Sequence, residues 1–198
     1  MAQGTFGKIR LFNDFLGVPT SGSNNHYTWG SGIGRVGDLA VFSVNEGSWA
    51  GTVDEPGGVL ALTTDTADND NVALVAGVFK PNDGTVTMET RFKFGHLTCA
   101  IYAGFTETLA SGTPVMPAEF ATATMTHNGS GGMVGFNYDV DGSTDDFRAV
   151  GGDGGSASGN ADTNGTRSNQ TITADEWYTI KVELYSDGKA KAWIAHDT

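Results

Sequence analysis

The most regular stretch of the chain runs from Thr85 to Phe94, where Val86, Met88, Phe92 and Phe94 alternate with Thr87, Glu89, Arg91 and Lys93. A period of two gives a strand one dry face and one wet face. Thr90 is the one polar residue on the dry side. Pro81-Asn82-Asp83-Gly84, just before it, carries the residues of a tight reversal. A more continuous apolar run, Thr98 to Phe105, predicts a central strand. Further on, Tyr178, Ile180, Val182 and Leu184 alternate with Lys181 and Glu183, and a second run, Lys189 to Ile194, follows Asp187-Gly188. Two such runs joined across Asp-Gly predict a β-hairpin.

Shorter strands are predicted at Lys8 to Phe12, Leu39 to Val44, Gly58 to Thr63, Asn71 to Ala76, Met133 to Asp139 and Phe147 to Val150. No segment predicts a helix of about ten residues; Met116 to Met125 offers at most a turn or two, and its threonines disfavour even that. Many short strands with turn chemistry between them point to a sandwich or barrel. Two stretches read as long loops: Val18 to Gly34, and the Gly-rich Gly151 to Gln170. No repeat or linker divides the chain, so 1–198 reads as a single all-β domain, a two-sheet antiparallel β-sandwich.

Composition sharpens this picture. The chain has 198 residues, with 29 glycines against 5 prolines and no collagen-like period, which suits tight turns between strands. A hydrophobic fraction of 38% supports a core. The net charge of −12 disfavours nucleic acid and anionic membranes as partners. A single cysteine, Cys99, excludes an intrachain disulfide. The start Met1-Ala2-Gln3-Gly4 reads as no secretory signal, and no apolar run is long enough for a membrane helix. Synthesis in a cytoplasm is expected.

Several segments resemble, in order, those of a group of tailed-phage structural proteins. These are Lys8-Ile9-Arg10-Leu11-Phe12-Asn13-Asp14-Phe15-Leu16-Gly17, then Gly58 to Thr64 with Asp68 to Leu74, and then Met88-Glu89-Thr90-Arg91-Phe92-Lys93-Phe94. Ala103-Gly104-Phe105-Thr106-Glu107 follows, and Trp177 to Ile194 is similar to the late hairpin of concanavalin A-like and laminin-G-like jelly rolls. The resemblance implies a jelly-roll sandwich displayed on a virion surface, made in the host cytoplasm. It further implies a capsid decoration or cement subunit, not an enzyme, that contacts the major capsid protein and copies of itself, a trimer included. Such domains continue beyond the position of Thr198, which leads us to expect an edge open to a neighbouring strand. The apolar residues Phe6, Ile9, Leu11, Phe12 and Phe15, within an opening strand or docking arm at 1–17, are the candidate partner contacts.

Glycoside hydrolysis needs two carboxyls about 5 to 9.5 Å apart, but no strand carries an E-x-D-x-x-E pattern, and Asp139-Val140-Asp141 reads as a hairpin tip. Asp139, Asp141, Ser143 and Asp145 also present calcium-type oxygen donors, as do Asp65, Asp68, Asn69 and Asp70, without matching an EF-hand loop. No cofactor is therefore expected, calcium being the one cation whose donors are present. His26, His96, His127 and His196 lack metal-site spacing, and Cys99 reads as a buried thiol. The alternative function is a carbohydrate-binding adhesion module of a phage head fibre or tail, its glycan stacked on Tyr27, Trp29 or Trp49.

Overall fold

A computed structural model describes residues 33–36, 39–44, 48–52, 58–64, 71–77, 79, 84–107, 115–121, 124–128, 131–153 and 166–197. Among them there is no helix, and every strand pairing is antiparallel. The chain groups into two compact units, 1–78 with 110–114, and 79–109 with 115–198.

The first unit holds β1 (Ile33–Val36), β2 (Leu39–Val44) and β5 (Asn71–Val75) in one sheet, with β3 (Ser48–Thr52) and β4 (Val59–Thr63) as a hairpin. Val41, 1% exposed, forms its core with Leu60, Val72 and Leu74.

The second unit contains a three-stranded sheet of β14 (Ala190–Asp197), β13 (Trp177–Leu184) and β6 (Val86–Lys93), in that order. Its four-stranded companion runs β12 (Thr166–Thr171), β11 (Asp146–Asp153), β10 (Gly132–Asp139), β7 (Ala100–Thr106). The two sheets face each other across one apolar core. Phe136, Tyr138 and Phe147 come from the larger sheet, and Tyr178, Ile180 and Val182 from the smaller. Phe94, just past β6, joins them, and its ring packs 5.0 Å from Tyr138 and 5.8 Å from Phe147. The buried phenols keep polar partners: Tyr138 donates to the Leu97 carbonyl, and Tyr178 accepts from the Thr173 amide. This is the arrangement of a β-sandwich.

A short hairpin, β8 (Ala118–Ala121) with β9 (Thr124–His127), lies on the other face of the larger sheet. Ala118, Phe120 and Met125 pack there on Met133, Val150 and Tyr102.

Several expectations hold in detail. The dry face of β6 is Val86, Met88, Thr90 and Phe92, as the alternation predicts. The late hairpin forms with Tyr185 donating to the Lys189 carbonyl and Gly188 donating to the Tyr185 carbonyl. Gly188 has φ +80°, the left-handed residue that a three-residue turn with a bulge requires. One reading needs correction. The run from Thr98 to Phe105 enters β7 only at Ala100, and β7 is an edge rather than a central strand among the described residues. It reads as continuously apolar because Ile101, Ala103 and Phe105 meet the sandwich core while Tyr102 meets the hairpin cluster. The described residues of Met116 to Met125 form no helix: Ala118, Phe120 and Met125 alternate with Glu119 and Thr124, a strand period that buries one side. The loop expected over 151–170 is shorter, since β11 runs to Asp153 and β12 begins at Thr166.

Candidate functional site

Two surfaces of the second unit concentrate chemistry. The first is the outer face of the larger sheet, where β10 and β11 place Asn137, Asp139, Asp146 and Arg148 on the side away from the sandwich core. Hairpin β8–β9 caps this face, and all four side chains are buried. Buried polar groups persist only with partners, and most of these are held. Asp139 Oδ2 accepts from the Phe120 amide at 2.7 Å and Oδ1 from the Asp141 amide at 3.0 Å. Asn137 Nδ2 donates to the Ala118 carbonyl at 2.8 Å. Asp146 accepts from Thr144 Oγ1 and pairs with Arg167 Nε at 2.6 Å. Arg148 donates to Ser143 Oγ at 3.0 Å and lies 4.7 Å from the centre of the Phe120 ring. Asn137 Oδ1 and His127 Nε2, on either side of Ala118, are buried without a hydrogen-bond partner.

This geometry is that of a latch. Asp139 and Asn137 hold the β8 backbone, and Arg148 supports the Phe120 ring from below. The acidic run read as a donor loop folds as a turn closed on Asp139, with the Gly142 amide donating to the Asp139 carbonyl. No group of three or more His, Cys, Asp or Glu among the described residues is arranged to hold a metal ion.

The second surface is the solvent face of the β6–β13–β14 sheet. Parity places Glu89, Arg91 and Lys93 of β6, Trp177, Thr179, Lys181 and Glu183 of β13, and Lys191, Trp193 and Asp197 of β14 on it. Cations lie over rings along this face: Arg91 is 4.3 Å and Lys93 5.3 Å from the Trp177 ring centre, and Lys181 is 5.2 Å from that of Trp193. Arg91 of β6 pairs with Asp197 of β14 across the sheet, and Lys181 pairs with Glu183 along β13. The Lys181 bond holds the Glu183 carboxyl below its usual range. Trp193 stays 44% exposed. On a chain of net charge −12, this is a face where cations and aromatic rings are interleaved with the acids.

Of the residues singled out in the sequence, Phe6, Ile9, Leu11, Phe12, Phe15, Tyr27 and Trp29 lie outside the described residues, as do His26, Asp65, Asp68, Asn69 and Asp70. Trp49 pairs through its backbone with Leu62 in the β3–β4 hairpin, and its side chain lies outside the description. His196 stacks on Tyr178 and pairs with Glu176 at 2.9 Å. Trp177 and Trp193 were not singled out, although the same period of two that defines β13 and β14 aims both at solvent.

Cys99 is half-buried, and its thiol reaches the His96 carbonyl at 3.4 Å. Burial, with the nearby Asp139 charge, pushes this thiol up to about 11. A raised thiol pKa keeps the group neutral until pH climbs well above 8, and only the thiolate is nucleophilic. Alkylation by iodoacetamide at pH 8 is therefore expected to run about a hundredfold slower in the folded protein than in urea. Equal rates would show that Cys99 is not desolvated.

No model of a known protein family matches the chain, and neither does any curated protein or solved structure.

Proposed function

We propose that this chain is a non-enzymatic structural subunit of a tailed-phage particle, a jelly-roll of the concanavalin A-like kind that decorates the capsid. It works by burying surface against the shell lattice and against its own copies. The virion setting comes from the resemblance carried by 8–17, 58–74, 88–94, 103–107 and 177–194. The observation that supports an assembly role is the solvent face of the β6–β13–β14 sheet. Tryptophan and arginine are the residues that dominate interfaces. Here Arg91 and Lys181 already rest on indole rings and are ion-paired, so less side-chain entropy is lost when a partner covers them.

Quantitative mass spectrometry of purified particles tests this by counting copies of the chain per major shell subunit. A ratio near one, or a simple fraction such as about one third, is expected for a subunit that follows lattice symmetry. A few copies per particle would replace decoration with a fibre or tail role. Absence from particles would overturn the virion reading and favour the glycan-binding alternative.

A further inference from the structure

We propose that β14 is a homodimerisation edge, on which a second copy of this chain adds its own β14 antiparallel about a two-fold axis at Ile194. The inference rests on the reading of the chain as an assembly subunit and names the surface by which copies meet.

The Tyr185 amide bonds the Lys189 carbonyl, which fixes the alternation of the antiparallel ladder beyond it. With Leu184 opposite Ala190 and Glu183 opposite Lys191, the residues of β14 that bond β13 are Lys191, Trp193, Ala195 and Asp197. The N–H and C=O groups of Ala190, Ala192, Ile194 and His196 therefore point away from β13. β14 ends the sheet order, and no described residue pairs with this side. An eight-residue edge of this kind is a template for another strand.

Self-pairing has to satisfy two conditions at once. Side chains on one face must meet side chains on the same face, so residue numbers of opposed positions must sum to an even value. Charges must also match across the axis. Centring on Ile194 meets both. The outward-facing amides and carbonyls of Ala192 and Ile194 meet those of the partner's His196 and the partner's Ile194. On the solvent face, Lys191 falls opposite the partner's Asp197 and Trp193 opposite the partner's Ala195, and symmetry repeats each contact. Centring on Trp193 instead sets Lys191 against alanine and stacks indole on indole. It also sets Asp197 opposite Lys189, which lies in the turn before β14 and not on the strand. Two strongly acidic copies repel in general, and the cation-rich face of β6–β13–β14 is where that repulsion is offset. A single added strand buries less than a standard interface, so a dissociation constant of about 1 to 100 μM is expected. On a lattice, where neighbours are held close, such an affinity suffices.

Sedimentation velocity of the full chain up to about 200 μM is the test, with Ala192→Pro as the decisive variant. The Ala192 N–H points outward, so proline there leaves the β13 bonds intact and blocks the added strand. The expected result is a concentration-dependent species of twice 20.6 kDa that Ala192→Pro abolishes while circular dichroism still shows a folded sheet. Lys191→Pro, one residue away, removes a β13 bond and is expected to lower the melting temperature by about 10 °C. Lys191→Glu places like charges across the axis and is expected to weaken the dimer about tenfold, whether or not either proline variant folds. A monomer at every concentration overturns the proposal, as does a dimer unchanged by Ala192→Pro or by Lys191→Glu. A dimer from a chain absent from particles would leave this inference standing and remove the virion reading; a lattice-ratio copy number with a monomer in solution would do the reverse.

Discussion

Replacing Phe147 with alanine is expected to destabilise the second unit by about 3 to 5 kcal/mol, the range for deleting a fully buried aromatic ring. Phe147 has no exposed surface and sits where four other rings converge. Phe92 is 5.5 Å away edge-on, Tyr138 5.9 Å, Phe94 5.8 Å and Phe136 6.2 Å. These come from both sheets and from the segment after β6, so no single neighbour can relax into the space, and the transfer loss is joined by a cavity term. Because whole domains are stable by only about 5 to 15 kcal/mol, this one change removes a large share. Urea unfolding followed by intrinsic fluorescence reads it directly. Phe79→Ala is the control: the residue is 40% exposed, and the expected loss is below about 1 kcal/mol. Similar losses in the two variants would mean that the facing sheets do not share the core described.

Phe147 also shows where sequence pattern is informative and where it is not. Strands β6, β13 and β14 were legible because each has one dry and one wet face, and burial alternates along them accordingly. β11 is harder to read, because polar Asp146 and Arg148 point to the covered outer face and are buried, as Phe147 is. Alternation of residue type then no longer reports alternation of exposure. β12 was invisible for the opposite reason. Thr166 to Thr171 is polar throughout, an edge strand held by backbone pairing to β11 and by the Arg167–Asp146 ion pair, with no hydrophobic period to detect. Hairpin β8–β9 does alternate, but over strands of four residues, too few for the period to stand out.

The same physics governs what was legible of the candidate sites. Asp139 and Asp141 read as the tip of a solvated turn, and the turn is there. What the spacing could not disclose is that a hairpin about twenty residues upstream covers Asp139 and takes up its carboxylate through the Phe120 amide. Burial of a polar residue is decided by a non-local element, whereas local pattern reports only which side of its own strand it occupies. The cation and tryptophan face is the converse. Parity in the sequence places Glu89, Arg91, Lys93, Lys181 and Glu183 outward, yet the organisation of the face depends on β6, β13 and β14 lying side by side in register, with Arg91 reaching Trp177 across strands that are far apart in sequence.

Cross-strand register also carries the last prediction, that Gly135→Ala is expected to cost about 3 kcal/mol or more, although it adds only one methyl group. Gly135 on β10 and Gly104 on β7 are directly opposed. A Cβ built on Gly135 would overlap the Ala103 carbonyl oxygen and lie 2.8 Å from the Gly104 Cα, inside any distance real side chains adopt. A Cβ on Gly104 would likewise meet the Val134 carbonyl and the Gly135 Cα, with the Tyr102 hydroxyl 3.0 Å off. Every obstructing atom of Gly135 is backbone, so no rotamer change relieves the clash and the two strands must separate. Separation would strain the pairing from Met133 to Asp139 and disturb Tyr102, whose hydroxyl bonds the Phe105 carbonyl at 2.7 Å. Gly151 on β11 is the matched control: its Cβ would meet nothing nearer than the Met133 carbonyl at 3.8 Å. Alanine there is expected to be neutral or to stabilise by up to about 1 kcal/mol, because it narrows the unfolded ensemble. Amide hydrogen exchange gives the spatial signature, with protection falling along β7 and β10 in Gly135→Ala and unchanged in Gly151→Ala. A Gly135→Ala protein as stable as the parent would show that β7 and β10 do not approach this closely, and the packing of the larger sheet would need a different account.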